Sequence, residues 1–147
     1  AGRPLVIAFF FTRCPLPDMC PLLSAKLMQL QDLLKSNRAD NGPGTPRILS
    51  ISVDPAHDTP AVLKSYAEGY KADPAVWTFL TGSQADLRTL ALRCRADFWD
   101  EDGLIKHTLS VVVVDAGGKA RRVMEGSGWS AANLAEALLD GAIKGSR

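Results

Sequence analysis

The sequence lacks a charge imbalance and a long apolar run. Lys and Arg together number 17 and Asp and Glu 16 among 147 residues, which leaves a formal net charge of +1. A chain so nearly neutral has no global field for a polyanion, so nucleic acid is not an expected partner. The longest apolar runs, at 5–11 and 111–114, are far shorter than the ~20 residues that cross a bilayer. We therefore expect no transmembrane segment in this chain.

Cysteine is scarce too, because the chain contains only three. Three cysteines are too few for a disulfide scaffold, and a chain of this length can bury an ordinary hydrophobic core. Hydrophobic residues make up 46% and charged residues 22%, a balance typical of globular domains that excludes intrinsic disorder. The chain has no internal repeat and no low-complexity tract. We predict one domain over residues 1–147.

Two hydrophobic periodicities alternate along the chain. Continuous apolar runs predict buried strands, and apolar residues three or four apart predict amphipathic helices. The Ala116-Gly117-Gly118 turn predicts a hairpin, and Ser130 is a candidate cap for a last helix. This order predicts an α/β/α sandwich of thioredoxin-like architecture, with a central mixed sheet and a C-terminal hairpin and helix. Strands are expected at 5–11, in the middle of the sheet, and at 47–54, 76–80, 107–115 and 119–125, and helices at 22–35, 60–72, 84–95 and after Ser130.

Cys14 and Cys20 lie where the first predicted strand gives way to the first predicted helix, at the edge of the sheet that favours ligand sites. Cys20 precedes Pro21 at the expected helix start, where the helix dipole stabilises negative charge and lowers a thiol pKa. The pair is either a structural disulfide or two buried thiols, or else a redox or metal-binding pair. A redox or metal role explains the position better.

The residues available as ligands favour copper over structural zinc. A structural zinc site needs four protein ligands, and the sequence has neither a second cysteine pair nor a histidine pair of suitable spacing. Two thiolates and one imidazole form a soft set of low coordination number, which is typical of copper.

The remaining candidate residues have ordinary structural interpretations. Cys94 falls on the apolar stripe of its predicted helix and is expected to pack in the core. His57 lies in a proline-flanked turn and is expected to be exposed. Asp54 and Asp58 are expected to form that turn and to cap the following helix.

Motifs along nearly the whole chain resemble the SCO/SenC family, in a consistent order. They are Phe10-Phe11-Thr12-Arg13-Cys14-Pro15 with Cys20-Pro21, then Ser52-Val53-Asp54-Pro55-Ala56-His57-Asp58-Thr59-Pro60, then Leu80-Thr81-Gly82, then His107-Thr108 followed by Val114-Asp115-Ala116-Gly117-Gly118.

The resemblance implies a thioredoxin fold and a copper-binding role in assembling the dinuclear copper centre of cytochrome c oxidase. By motif position it implies Cys14, Cys20 and His107 as copper ligands. It also implies a periplasmic or membrane-anchored, extracytoplasmic location, with the anchor in a longer parent protein. The implied partner is the copper-site subunit of cytochrome c oxidase or another copper or thiol protein.

The chain departs from the family at the cysteine motif. The family leaves three residues between its cysteines, whereas five stand between Cys14 and Cys20. The longer loop affects the redox potential of the cysteine pair and the distance between the two sulfurs. It also places Met19 beside Cys20; a methionine thioether is a potential soft ligand, although a methionine more often packs in the core. The family's amino-terminal strands have no counterpart before Ala1, as expected of a piece of a larger parent.

These observations lead to one main functional hypothesis and two alternatives. The main hypothesis is a copper-binding, thiol-redox metallochaperone, which need not be an enzyme with turnover. The first alternative is a thiol-disulfide oxidoreductase that uses Cys14 and Cys20 without a metal, one attacking and the other resolving. The second is a metal-free interaction domain that retains only the fold.

Overall fold

The computed structural model describes residues 2–37 and 44–144, in which strands and helices alternate as far as α3 and four strands then precede the last helix. The prediction of a single domain over residues 1–147 therefore includes residues outside the described part. The strands are β1 (Leu5–Phe10), β2 (Arg47–Ser52), β3 (Trp77–Leu80), β4 (Phe98–Glu101), β5 (Leu104–His107), β6 (Ser110–Val114) and β7 (Ala120–Glu125). The helices are α1 (Cys20–Ser36), α2 (Pro60–Gly69), α3 (Gln84–Arg93) and α4 (Ala131–Lys144).

Strand β1 is the middle strand of a five-stranded sheet with the order β3-β2-β1-β6-β7. It pairs in parallel with β2 and antiparallel with β6, and β6 pairs antiparallel with β7, so the sheet is mixed. The continuous apolar sequence of β1 follows from its position, because five of its six residues are buried. The predicted mixed sheet, the central first strand and the C-terminal hairpin are confirmed.

The helices bury the apolar stripes that the periodicity indicated. Leucines at helical spacing form the buried face of α1, and α4 packs against α1, β6 and β1. Asn133 donates its backbone N–H to the Ser130 hydroxyl at 3.1 Å, which confirms the predicted cap of α4. Leu134 and Leu138 are buried in the core, whereas Leu139 is 42% exposed. No helix among residues 2–37 and 44–144 is long and apolar enough to cross a membrane.

A separate two-stranded hairpin, β4–β5, is the main feature that the sequence analysis missed. We predicted one strand over 107–115, but β5 ends at His107 and β6 begins at Ser110. Asp102 and Gly103 turn the chain with φ of 54° and 77°, the left-handed pair typical of a tight hairpin turn. Thr108 then donates its backbone N–H to the Asp97 carbonyl at 2.9 Å, and this bond closes the hairpin before the chain enters the main sheet.

Candidate metal centre

Cys20 is the first residue of α1 and lies in contact with a distant histidine. Its side chain is 1% exposed, and its Sγ is 3.1 Å from Nε2 of His107. Burial raises the pKa of the Cys20 thiol well above its ordinary value, and backbone N–H groups of Phe11 and Cys20 offset only part of this effect. The expectation of a lowered pKa was wrong, because at this helix start desolvation of the sulfur outweighs the helix dipole.

His107 ends β5 with its ring oriented for binding through one nitrogen. Its Nδ1 is 3.0 Å from the Thr108 carbonyl, which can only accept, so Nδ1 carries the proton. Nε2 therefore presents its lone pair to the Cys20 thiol. Burial also lowers the His107 pKa, which keeps the imidazole neutral at physiological pH. A neutral imidazole whose other nitrogen donates to a carbonyl is the usual state of a metal-ligating histidine.

Cys14 lies on the loop between β1 and α1 and is the more accessible of the two site thiols. The Cys14 backbone N–H donates to the Phe11 carbonyl at 3.3 Å, so the chain turns directly after β1. The side chain is half-buried, in contrast to that of Cys20. Burial is the main cause of the raised Cys20 pKa, and interaction with the Cys14 thiol raises it further. The structure thus brings Cys20 and His107 into contact and places Cys14 on the adjoining loop, but the ligand atoms of the three do not all lie within 4.8 Å of one another.

A small cavity of about 110 Å³ opens between the Cys14 loop and the β4–β5 hairpin. Cys14 and His107 contribute to its wall, and so does Met19. Met19 thus lines the same cavity as two of the candidate ligands, Cys14 and His107. The rest of the wall is mainly apolar, and two leucines near it are substantially exposed, Leu16 at 43% and Leu104 at 48%.

A buried carboxylate holds the start of the Cys14 loop. Asp58 is fully buried and accepts hydrogen bonds from the Thr12 backbone N–H at 3.0 Å and from the Thr12 and Ser52 hydroxyls. The helix cap that we assigned to this stretch is made by Thr59, whose hydroxyl accepts from the Val62 N–H at 3.3 Å. The expectation that Asp58 caps α2 was therefore wrong, since its oxygens point back to the β1–α1 loop.

His57 and Asp54 lie beside this carboxylate. His57 is only partly exposed, because its Nδ1 lies 2.9 Å from Asp58 Oδ1. Asp54 pairs with Arg13 through an Nη2–Oδ2 distance of 2.9 Å.

Asp54, His57 and Asp58 form a group whose potential ligand atoms lie within 4.8 Å of one another. Hydrogen-bond donors already engage the oxygens of this group, and the Arg13 cation lies against Asp54. These contacts explain why the three side chains lie close together without a metal ion. Among the described residues, the soft donor set lies at Cys14, Cys20 and His107.

Cys94 lies away from this set, at the C-terminal cap of α3. It is 5% exposed within the hydrophobic core, and burial raises the pKa of its thiol. The expected burial of Cys94 is confirmed.

The donor set fits copper. Two thiols and one neutral imidazole are soft or borderline ligands, and the largely apolar cavity beside them limits competition from water. The thiols must lose their protons to bind, and a cation at the site would reverse the effect of burial on Cys20.

Comparison with known proteins defines first the class and then the family. The fold is thioredoxin-like, as the solved Sco structures that match it are. One is a SCO1/SenC family lipoprotein from Bacillus anthracis, with a TM-score of 0.82, 26% identity, and coverage of 96% of this chain and 82% of that one. The family model SCO1/SenC matches residues 1–140, and the chain belongs to this family.

Other relatives carry names that bear on function. Yeast Sco1 with copper bound matches with a TM-score of 0.75 and 26% identity, over 95% of this chain and 75% of that one. BsSco, described as a member of the Sco family of cytochrome c oxidase assembly proteins with a disulfide switch, matches with a TM-score of 0.79 and 28% identity, over 97% and 81%. The SCO1 protein homolog of Bacillus subtilis is 40% identical over 93 residues, 63% of this chain and 45% of that protein. The chain spans about half the length of the curated relatives it matches.

Proposed function

We propose that this protein binds copper through Cys14, Cys20 and His107 and serves as an assembly factor for the copper centre of cytochrome c oxidase. The observation that carries the proposal is the 3.1 Å contact between Cys20 Sγ and His107 Nε2, 87 residues apart in sequence. The copper-bound yeast relative and the BsSco description support the metal and the assembly role.

Copper is cargo in this proposal, and the three side chains differ in what they contribute. His107 needs no deprotonation, because its Nε2 lone pair already faces the site. The Cys20 thiol is held neutral by burial, so it releases its proton to solvent only when a metal ion takes its place. Cys14 is the accessible sulfur, and a partner's ligand reaches the copper by exchange at this position.

Thiol-disulfide exchange without metal is the second candidate, and the unequal exposure of the two thiols favours it. In that reaction the Cys14 thiolate attacks one sulfur of a partner disulfide, the partner's S–S bond breaks, and the other partner sulfur leaves as a thiolate, so that a mixed disulfide with Cys14 remains. Cys20 then displaces the partner's second thiol, so that one disulfide is formed and one is reduced. The raised pKa of Cys20 disfavours the second step, because a buried neutral thiol is a poor nucleophile. Deprotonation driven by a metal ion suits this thiol better.

The proposed partner is the copper-site subunit of cytochrome c oxidase or another protein that takes up copper through thiols. The proposed location is extracytoplasmic, on the periplasmic side of a membrane. The lipoprotein description of the Bacillus anthracis neighbour supports a membrane-anchored parent protein.

Anaerobic titration of the fully reduced protein with Cu(I), in competition with a chromophoric chelator, tests the proposal. We expect one tightly held ion per chain in the wild type and a loss of at least about tenfold in affinity in Cys14→Ala, Cys20→Ala and His107→Ala. Cys94→Ala is the matched thiol control and should bind as the wild type does. A wild type that binds no copper but reduces a disulfide substrate catalytically would replace copper binding with the second candidate.

A further inference from the structure

The loop that carries Cys14 is fastened to the rest of the protein two residues before the cysteine. Thr12 contributes both its backbone N–H and its hydroxyl to the Asp58 carboxylate. Arg13, the next residue, pairs with Asp54. The segment between the end of β1 and Cys14 is therefore fixed by the loop that follows β2.

Asp58 is the centre of this attachment. Its carboxylate is fully buried and also accepts from the Ser52 hydroxyl and from His57, while its backbone N–H donates to the Asp54 carbonyl at 2.8 Å. Burial alone would raise the pKa of this carboxyl, but the hydrogen bonds from Ser52, Thr12 and His57 outweigh burial and lower it. A buried, ionised and multiply bonded carboxylate is a rigid anchor.

We propose that Asp58 is a positioning residue for the copper site, acting through Thr12 to hold Cys14 beside Cys20 and His107. This inference rests on the proposed copper function. Cys20 and His107 need no such device, because one begins a helix and the other ends a hairpin strand. Cys14 lies on a loop with five residues before Cys20, so its sulfur depends on an external contact for its position.

The chain offers a matched control in Asp115, at the turn between β6 and β7. Asp115 is also buried, at 4% exposure, and accepts from the backbone N–H groups of Gly117 and Lys119 and from the Arg121 side chain. Asp115→Asn thus disturbs a buried carboxylate that also accepts several hydrogen bonds. None of these bonds involves Cys14, Cys20 or His107.

The test compares Asp58→Asn with Asp115→Asn by two readouts. The first is the equilibrium of the Cys14–Cys20 dithiol with a dithiothreitol redox buffer in copper-free protein, and the second is Cu(I) affinity by chelator competition. For Asp58→Asn we expect the disulfide to become at least about threefold easier to reduce, because a loosened loop lowers the effective concentration of one thiol for the other. We expect copper affinity to fall about tenfold, the usual effect of losing a group that orients a ligand. Asp115→Asn should change neither readout.

Thr12→Val keeps the proposal testable if Asp58→Asn does not fold, because it removes the hydroxyl bond and leaves the carboxylate. We expect a smaller shift in the same direction, and in the double variant a shift smaller than the sum of the two. Wild-type values for both readouts in Asp58→Asn, or in Thr12→Val where Asp58→Asn is unfolded, would overturn the positioning role. A wild type that binds no copper would instead overturn the proposed function while leaving the disulfide readout interpretable.

Discussion

The pair formed by Cys20 and His107 places a thiol and an imidazole together where water is nearly excluded. In such a place the neutral forms of both groups are favoured, and burial therefore moves their pKa values apart, up for the thiol and down for the imidazole. The thiol of such a neutral pair is a poor nucleophile until a metal cation displaces its proton. This explains how the Cys20 thiol stays protonated in the metal-free protein and yet lies next to an imidazole lone pair that can bind a soft metal ion.

The three thiols should differ in reactivity with iodoacetamide in the native, metal-free protein. Cys14 is half-buried, whereas Cys20 and Cys94 are buried with raised thiol pKa values. We expect Cys14 to be alkylated at least about tenfold faster than the other two at pH 7.5. Peptide mass spectrometry over a time course measures the three rates, and the unfolded protein in urea, where all three should react alike, is the control. Equal native rates for Cys14 and Cys20 would contradict the assigned difference in burial.

Cys94 should contribute packing and nothing else. Replacing it by Ala removes a buried sulfur from the core, and we expect a loss of ~1 kcal/mol in the free energy of unfolding. Urea denaturation measures this loss, and Cu(I) stoichiometry should stay at the wild-type value. A variant that folds but no longer holds copper would show that the cysteines have been divided wrongly between core and site.

At the scale of elements, the β4–β5 hairpin is what delivers His107 to the cysteines. The hairpin turns at Asp102 and Gly103, both with positive φ, and an added Cβ at Gly103 would meet nothing within 4 Å. Glycine is therefore favoured at position 103 because of its positive φ and not because a side chain would clash. Any substitution that strains this turn acts on the position of His107.

Gly103→Ala should therefore affect both stability and copper binding. We expect a loss of about 1–2 kcal/mol in the free energy of unfolding, because alanine is strained at positive φ, together with a fall of several-fold in Cu(I) affinity. Gly118→Ala is the matched control, since Gly118 has a φ of 83°, also has open space around its added Cβ, and lies in the β6–β7 turn. The control should lose similar stability but keep its copper affinity. Equal copper affinity in the two variants would contradict the claim that the hairpin turn sets the position of His107.

Most elements could be predicted from the sequence, because they carry strong local patterns. The apolar run of β1 and the leucine spacing of α1 each specify one kind of structure. The β4–β5 hairpin was missed although Asp102-Gly103 between Phe98-Trp99 and Leu104-Ile105 is a recognisable turn signal. Its strands have four residues each, and the apolar character of 110–114 led us to extend the next strand back through His107.

The site was less predictable than the fold, because its properties depend on groups distant in sequence. No local pattern shows that His107 meets Cys20, and it was motif position in the resemblance that linked them. The raised pKa of Cys20 depends on how completely other elements cover it. The contact of Asp58 with Thr12 spans 46 residues, and the same Asp could have capped a helix.

The whole molecule should lose stability in acid partly through Asp115. Hydrogen bonds from the Lys119 backbone and the Arg121 side chain lower the folded-state pKa of this carboxyl. A lowered folded pKa contributes stability above the ordinary carboxyl value of about 4, and this contribution is lost as the pH falls below it. We expect Asp115→Asn to be less stable than the wild type at pH 7 and to lose less stability between pH 5 and pH 3. Urea unfolding at each pH measures this, and identical pH profiles would contradict the assignment.

The whole fold converges on one edge of the sheet. The loop after β1 supplies Cys14, the start of α1 supplies Cys20 and the β4–β5 hairpin supplies His107. The loop after β2 secures the segment that precedes Cys14. His107 is 87 residues from Cys20 in sequence, so the complete donor set exists only in the folded protein. Metal binding is accordingly expected to stabilise the folded state.

Copper K-edge X-ray absorption of the Cu(I)-loaded protein tests the central claim most directly, because it counts the sulfur and nitrogen atoms bound to the ion. We expect two sulfur ligands and one imidazole nitrogen in the wild type and in Cys94→Ala, and loss of the nitrogen in His107→Ala. Met19→Leu should leave the spectrum unchanged. A coordination shell of nitrogen and oxygen alone would contradict binding by Cys14, Cys20 and His107, and a third sulfur that disappears in Met19→Leu would contradict a donor set made of these three residues alone.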